Sequence, residues 1–524
     1  MQEEIKKAVD FVISEGARFA DIRLEKGYAT TLELRDGVFR EMSYGIDEGV
    51  GVRVLYKNSW GFSSSNELSK PRIKAAFEDA LRVGRALSLS KSESEKLESE
   101  KSELEKKREE EAVKMAGAKP RSDHFKLKPK INPEDVSVEE KKRLVKAAYK
   151  AATQHSPLVK SVSILYLDGY EEKTYADSEG CFVVTEMPAV FLRVRVVAKK
   201  GSVLQEGVES VGAVAGFEVV AEEGEAAKGV AAKGVAAEGV AAERVAAKGV
   251  AAEGNPEVVG VKAADKAVRL LDAEQPPAGE FPVIMDSKLT GVFMHEALGH
   301  AAEADHVLCG ESILKDKLGE QVAYEGLTVA DDPTVAGSHG YYKYDDEGLR
   351  ARRTEIIKNG VLVSYLHTRE TAGRLEATPT ANARAADYSE VPLVRMSNTV
   401  VEAGSRAGAG RGWSFEEMLE GVRFGIYAKG MRGGQVDTVR GEFQFSAEEA
   451  FLIEKGRLTK RLKNVSLSGR TLEVLKEIDA VGQEKKRGSI GFCGKDGQEV
   501  PVSEFAPHVR VKRILVGGAA AGGS

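Results

Sequence analysis

The stretch Met294-His295-Glu296-Ala297-Leu298-Gly299-His300-Ala301-Ala302-Glu303-Ala304-Asp305 sets two histidines five residues apart, with one acid directly after the first and two more beyond the second. Around it Leu289, Val292, Phe293, Met294, Ala297 and Leu298 have the spacing of a buried helix. An unpaired charge in such a helix is costly, so the polar cluster calls for a partner. Imidazole and carboxylate groups bind zinc and similar ions, and a catalytic metal ion is the partner expected here. The plain alternative is a polar cluster satisfied without metal. In the familiar metalloprotease pattern the histidines are four apart, on one helix face. Five steps of ~100° leave them ~140° apart. A local π-type turn, wider by one residue, restores the alignment, and such turns occur mostly at functional sites. Gly299 makes a departure from regular helix cheap.

Glu296 adjoins the first histidine, where it would take a proton from a metal-activated water and pass one to a leaving amine. Glu303 could orient an imidazole or ligate. Two candidates exist for a third ligand. His306 sits six past His300, a spacing that occurs in helix-loop histidine triads. Cys493 lies in the glycine-rich Gly488-Ser489-Ile490-Gly491-Phe492-Cys493-Gly494-Lys495-Asp496-Gly497, read as a turn, beside a lysine that would favour the thiolate. Spacing does not choose between them. Cys181 and Cys309 have no partner spacing, nor have His339, His367 and His508. Gly408 to Gly412 is a flexible loop, and Tyr341 to Gly348 an exposed polar-aromatic one.

Outward from the motif the chain alternates helices and strands. Residues 2–15, 69–86 and a helix from Ser137, capped with Glu140, carry apolar faces. Asp21–Leu24, Thr31–Leu34, Gly51–Leu55, Ser161–Tyr166 and Ala189–Val197 read as short antiparallel strands, with a turn at Asp177–Gly180. Residues 256–273 form a helix and Glu280–Met285 a strand before the motif. Strands continue at Glu355–Lys358, Val361–Leu366, Val439–Phe445, Ala450–Glu454 and Val509–Leu515, with a helix at Thr471–Val481. The pattern is α+β. It divides into an α/β sandwich-like N-terminal domain (1–220), a linker (221–255) and a strand-rich C-terminal domain (256–524) carrying the metal-site helix. The charged run at about 88–116 has too few apolar residues to order itself and reads as an insert without chemistry. The linker repeats Gly-Val-Ala-Ala-(Lys/Glu). A five-residue period matches no helical stripe, and each glycine costs a helix ~1 kcal/mol.

Composition narrows the class. A net charge of -6 over 524 residues implies no basic face for nucleic acid. Three widely spaced cysteines make no disulfide framework and suit a reducing compartment. The charged start Met1-Gln2-Glu3-Glu4 lacks a secretory apolar region, and no apolar run approaches the ~20 residues of a membrane span. A cytoplasmic protein is expected.

Several blocks together resemble one family, the TldD/PmbA metallopeptidases, also regarded as modulators of DNA gyrase. His295-Glu296-Ala297-Leu298-Gly299-His300 with Glu303 and Asp305 is similar to the His-Glu-x-x-x-His motif of the TldD branch. Gly49–Val54 with Trp60-Gly61-Phe62, Arg395-Met396-Ser397-Asn398-Thr399, Gly433–Asp437 with Gly441–Phe445, and Cys493-Gly494-Lys495-Asp496-Gly497-Gln498 resemble further family blocks. The family more usually has Asn-Ser-x-Gly where this chain has Asp177-Ser178-Glu179-Gly180. The resemblance implies that His295, His300 and Cys493 bind Zn2+ and that Glu296 is the catalytic acid/base. It implies peptide or unfolded polypeptide substrates paired to a sheet edge in a buried channel. It also implies a homodimer, or a heterodimer with a motif-lacking PmbA/TldE-like paralogue. The expected function is a zinc-dependent peptidase. The alternatives are a regulatory protein with a structural metal, of gyrase-modulator or toxin–antitoxin type, and a metallohydrolase acting on other bonds.

Overall fold

The computed structural model describes residues 2–96, 113–221, 254–406 and 410–518. The pentad repeat, most of the charged run, part of the Gly408 loop and the last residues lie outside these ranges. Seven strands make the first sheet: β1 (Ala17–Arg35), β2 (Val38–Tyr56), β3 (Ser59–Ser65), β4 (Ser122–Lys126), β5 (Val159–Asp177), β6 (Phe182–Lys200) and β7 (Val203–Ala213). Their order is β3-β2-β1-β5-β6-β4, with β7 also on β6. The short strands expected at 21–24 and 31–34 are one 19-residue strand. It runs unbroken because β2 and β5 pair along its length on both sides.

Alternation along β1 turns one face to helices. Helix α1 (Gln2–Ser14) and α2 (Lys70–Lys96) pack Ile5, Val9, Val12, Ile73 and Phe77 against Ile22, Leu24, Val52 and Val54. The other half of the same face takes α3 (Val138–Gln154) and α4 (Pro256–Leu270). Ser137 caps α3 by accepting from the Glu140 N–H at 3.2 Å. Helix α4, grouped above with the C-terminal domain, packs Val259, Ala263, Ala264 and Ala267 on this N-terminal core with Leu32, Leu34 and Val194. Its apolar stripe finds its complement there, so the chain leaves the first layer only after residue 271.

The C-terminal part encloses the motif helix between two sheets. One has six strands in the order Val361–Leu362, Thr354–Lys358, Val329–Asp331, Asn398–Val401, Gln498–Ala506, Lys486–Lys495. In the other, Phe424–Asp437 pairs with both Gly279–Met285 and Glu442–Glu454, so the sheet closes on itself. Leu289, Phe293, Met294, Ala297, Leu298 and Ala301 are buried between them. No helix among the described residues is long and apolar enough to cross a membrane.

The second face of the N-terminal sheet meets the C-terminal part through buried charges. Arg53 pairs with Asp21 and lies 3.2 Å from Glu347. Lys173 bridges Glu25 at 3.2 Å and Asp346 at 2.9 Å. The Tyr341–Gly348 segment, expected as an exposed loop, is therefore buried at Tyr342 and from Tyr344 to Glu347. Asp346 and Glu347 are neutralised by cations from strands nearly two or three hundred residues earlier, while Asp345 accepts from the backbone N–H groups of Glu347, Leu349 and Ala383. Val113 and Ala116, at the end of the charged run, are also packed. Val113 N–H donates to Asn58 Oδ1, and Ala116 exchanges hydrogen bonds with Arg369. Removing one partner from a buried pair leaves an uncompensated charge, at a cost of about 3–5 kcal/mol. Arg53→Ala, which strands Asp21 and Glu347, is expected to lower the unfolding free energy by that amount in a denaturant titration. A loss of under about 1 kcal/mol, the range of exposed pairs, would mean that water already screens this interface.

Candidate metal centre

Asp286 caps the helix Ser287–Phe293, its carboxylate accepting from the Leu289 N–H at 2.8 Å. The helix then widens into a π-turn over Met294–Gly299 and tightens into a 3-10 turn over His300–Ala302. The extra residue in the turn brings His295 and His300 together, with ring centroids 5.3 Å apart and planes at 87°. Gly299 serves a different purpose from the one its sequence suggests. Its dihedrals are ordinary right-handed helix, but a Cβ would lie 2.0 Å from Met396 Sδ. It is a close-approach glycine.

Cys493 lies in the strand Lys486–Lys495, not in a turn. The turn follows at Asp496–Gly497, both with positive φ. The strand brings Cys493 Sγ to 3.4 Å from His300 Nε2. Ligand atoms of His295, His300 and Cys493 all lie within 4.8 Å of one another. The other nitrogen of each ring is engaged: His295 Nδ1 lies 3.1 Å from Thr399 Oγ1, and His300 Nδ1 lies 3.1 Å from Glu303 Oε2. A carboxylate only accepts, so His300 carries a proton on Nδ1, and Nε2 is the nitrogen turned to the thiol and open to a metal ion once deprotonated.

Glu303 is fully buried. Burial would raise its carboxyl, but His300 and Lys495 outweigh that and hold it at about 2. Lys495 donates to Glu303 at 3.1 Å, Asp305 at 2.7 Å and the Val394 carbonyl at 3.2 Å. Glu303 thus orients an imidazole. The side chains of Cys493 and Lys495, two apart on one strand, reach opposite sides of His300. His306 stands apart from the triad, with Nε2 3.7 Å from Glu303. Glu303, Asp305 and His306 do form a second cluster of ligand type, but the Lys495 ammonium already fills the cation's place between the two acids. Glu296 Oε2 is 3.9 Å from His300 Nε2, and a third of its side chain is open to solvent.

Burial alone would raise the Cys493 thiol. The charges of His295 and His300 and their hydrogen bonds prevail and bring it down to about 4. His295 shows the converse: burial would lower it, and Cys493 raises it to about 9. Two imidazoles and a thiolate, each aimed by an outer hydrogen bond or charge, suit a zinc-type ion.

Three models of the PmbA/TldA metallopeptidase family match the chain: domain 1 over residues 20–84, the central domain over 131–271 and the C-terminal domain over 278–518. A metalloprotease of Methanocaldococcus jannaschii is 42% identical over 492 residues, 94% of this chain and 95% of that protein. The chain belongs to the PmbA/TldD metallopeptidase family. A zinc metalloprotease TldD homolog of Saccharolobus solfataricus is 30% identical over 99% of this chain and its own full length. Among solved structures, TldE of Thermococcus kodakarensis superposes with a TM-score of 0.71 at 18% identity, over 98% of this chain and 100% of its own. A proposed DNA gyrase modulator of Thermotoga maritima gives 0.71 at 22%, with the same coverage. These two establish the shared fold. The charged run falls in the gap between the first two family models.

Glu504 went unnoticed in the sequence. It is buried, Oε2 has no hydrogen-bond partner among the described residues, and burial pushes it up to about 7 beside His295, Glu296 and Cys493. Strand alternation offered no signal for it. Cys181 is remote from the centre, beside Gly348, and burial pushes its thiol up to about 12. His367 and His508 are engaged with Thr371 and Tyr427. In metal-free protein Cys493 is therefore charged at neutral pH and loses that charge only as pH falls through its lowered pKa. The ultraviolet thiolate absorbance should decline with a midpoint near pH 4 and be missing from Cys493→Ser at neutral pH. A midpoint in the ordinary thiol range of about 8–9 would mean that the three side chains do not meet as described.

Proposed function

We propose that the chain is a zinc-dependent peptidase, hydrolysing peptides or unfolded polypeptides with His295, His300 and Cys493 as metal ligands and Glu296 as general acid/base. The observation that carries this reading is that three donors converge while Glu296, beside them, is the motif acid with solvent access. A structural zinc is normally closed by four protein ligands, whereas a catalytic one keeps a position open. Among the described residues only His295, His300 and Cys493 gather at that point. An ion held there supplies Lewis acidity, which acidifies water and polarises a carbonyl.

Glu296 takes a proton from the attacking water as the new C–O bond forms, and delivers it to the amine nitrogen as the C–N bond breaks. Thr399 and Glu303 keep both imidazoles in the ligating tautomer. Lys495 holds Glu303 ionised, so that His300 remains aimed. The strand bearing Cys493 is the last of its sheet, and an edge strand accepts an extended peptide through backbone hydrogen bonds, tolerant of side chains. A cleft of about 590 Å³ between the N-terminal sheet and the C-terminal loops, lined by Tyr28, Tyr44, Tyr170 and Pro501, leads to the same hairpin. The reading includes a cytoplasmic location, where the thiol stays reduced. It also includes a dimer with a second copy or a motif-lacking paralogue, for which exposed Met42, Tyr44 and Ile46 on β2 offer apolar surface.

Glu296→Gln is expected to keep its zinc and lose roughly 10²–10⁴-fold in peptidase rate, assayed on an unfolded peptide with and without chelator. Undiminished turnover in that variant would remove Glu296 from the reaction. His295→Ala and Cys493→Ala are expected to lose the metal itself. Wild-type metal stoichiometry in Cys493→Ala would return the third ligand to His306.

A further inference from the structure

Glu504 lies in the strand Gln498–Ala506, between two strands that carry other parts of the centre. Its Cα partner in the parallel neighbour is Thr399, the residue against His295 Nδ1. The antiparallel neighbour pairs Val500 with Cys493, and the two-residue period puts Val500 and Glu504 on the same face. From above, the motif helix comes down on it at Gly291, one turn before His295. A Cβ there would lie 2.5 Å from Glu504 Cβ, so only glycine lets the carboxyl pass beneath the helix.

The side chain is buried, and Oε2 finds no hydrogen-bond partner among the described residues. The Ser489 N–H serves the carboxyl, and the charged or titratable groups facing it are His295, Glu296 and Cys493. No lysine or arginine of the described residues forms a salt bridge with it. An uncompensated carboxyl in such a place is destabilising. In the metal-free chain the cationic group facing it is His295, which must give up that proton to ligate, so the metal-bound centre needs another cation, the ion itself, on the same side. A divalent ion held by one thiolate and two neutral imidazoles carries one positive charge beyond what its ligands neutralise. The ligand atoms that gather within 4.8 Å stop at His295, His300 and Cys493, so Glu504 acts on that charge from outside the ligand set.

We propose that Glu504 is the charge-compensating carboxylate of the metal centre, a positioning residue that strengthens its hold on a divalent ion without ligating it. The proposal rests on the preceding reading only in taking the triad as the ion's site. The test is zinc affinity of the metal-free full-length chain, measured in competition with a chelator. Glu504→Gln keeps the shape and removes the charge. It is expected to weaken zinc binding roughly 10- to 100-fold, as loss of an outer-shell partner does, while the metal-free melting temperature stays unchanged or rises. Glu504→Asp, which keeps the charge, is expected to bind zinc close to the wild-type level. Wild-type affinity in Glu504→Gln overturns the proposal. So do equal losses in both variants with a lowered metal-free melting temperature, since that is the behaviour of a packing residue. If Glu504→Gln does not fold, Glu504→Leu, which removes the buried polar group altogether, is read in its place with the same outcomes. Zinc affinity is measured without peptide. A chain that binds zinc but cleaves nothing would overturn the peptidase reading and leave this one standing.

Discussion

Two imidazoles five residues apart can face one point only if the helix between them takes in an extra residue, and the rest of the centre is built around that wider turn. A π-turn in isolation is less favourable than continuing α-helix. Here it is held by its surroundings. Met294, Ala297 and Leu298 are buried in the core between the two C-terminal sheets, and Met396 presses on Gly299 where any side chain would collide. Returning to a regular α-turn would rotate His300 away from Cys493 and disturb that packing together. The geometry of the two imidazoles and the packing of the core are thus one constraint.

Buried charge is managed by the same economy of placement. Glu303 is out of reach of water, yet stays ionised because His300 and Lys495 flank it. Lys495 in turn comes from the strand that delivers Cys493, so a single hairpin supplies both the thiol and the counter-charge that fixes the neighbouring imidazole. At larger scale the two sheet-bearing parts of the molecule meet through Arg53, Lys173, Asp346 and Glu347. Such pairs add little net stability, but they strongly disfavour any arrangement that leaves one member alone. An interface of this kind fixes register more than it adds affinity.

Much of the centre was legible from short-range pattern. The apolar spacing before His295 announced the helix, the five-residue interval announced the π-turn, and family resemblance raised Cys493 above His306. Other features gave no usable sign. The segment Tyr341–Gly348 is polar and aromatic, as exposed loops are. Its burial depends on cations from β2 and β5. Glycine at 299 reads as a backbone-freedom residue, whereas the space taken by Met396 is what requires it. Glu504 sits in an ordinary strand, and nothing nearby in sequence distinguishes it from a solvent-facing acid.

By itself, the sequence determined what neighbours along the chain can impose: helix and strand periods, the wider turn, the α+β class and the chemical types of the candidate ligands. Tertiary structure alone decided which distant residues complete the site. Cys493 meets His300 across 193 residues because strand pairing sets that distance. Helix α4 joins the first layer because its apolar stripe finds its complement there. Glu504 faces the triad because Gly291 leaves room for it. Contacts of this range depend on how whole surfaces fit, and surface fit is not a property of any short stretch of chain.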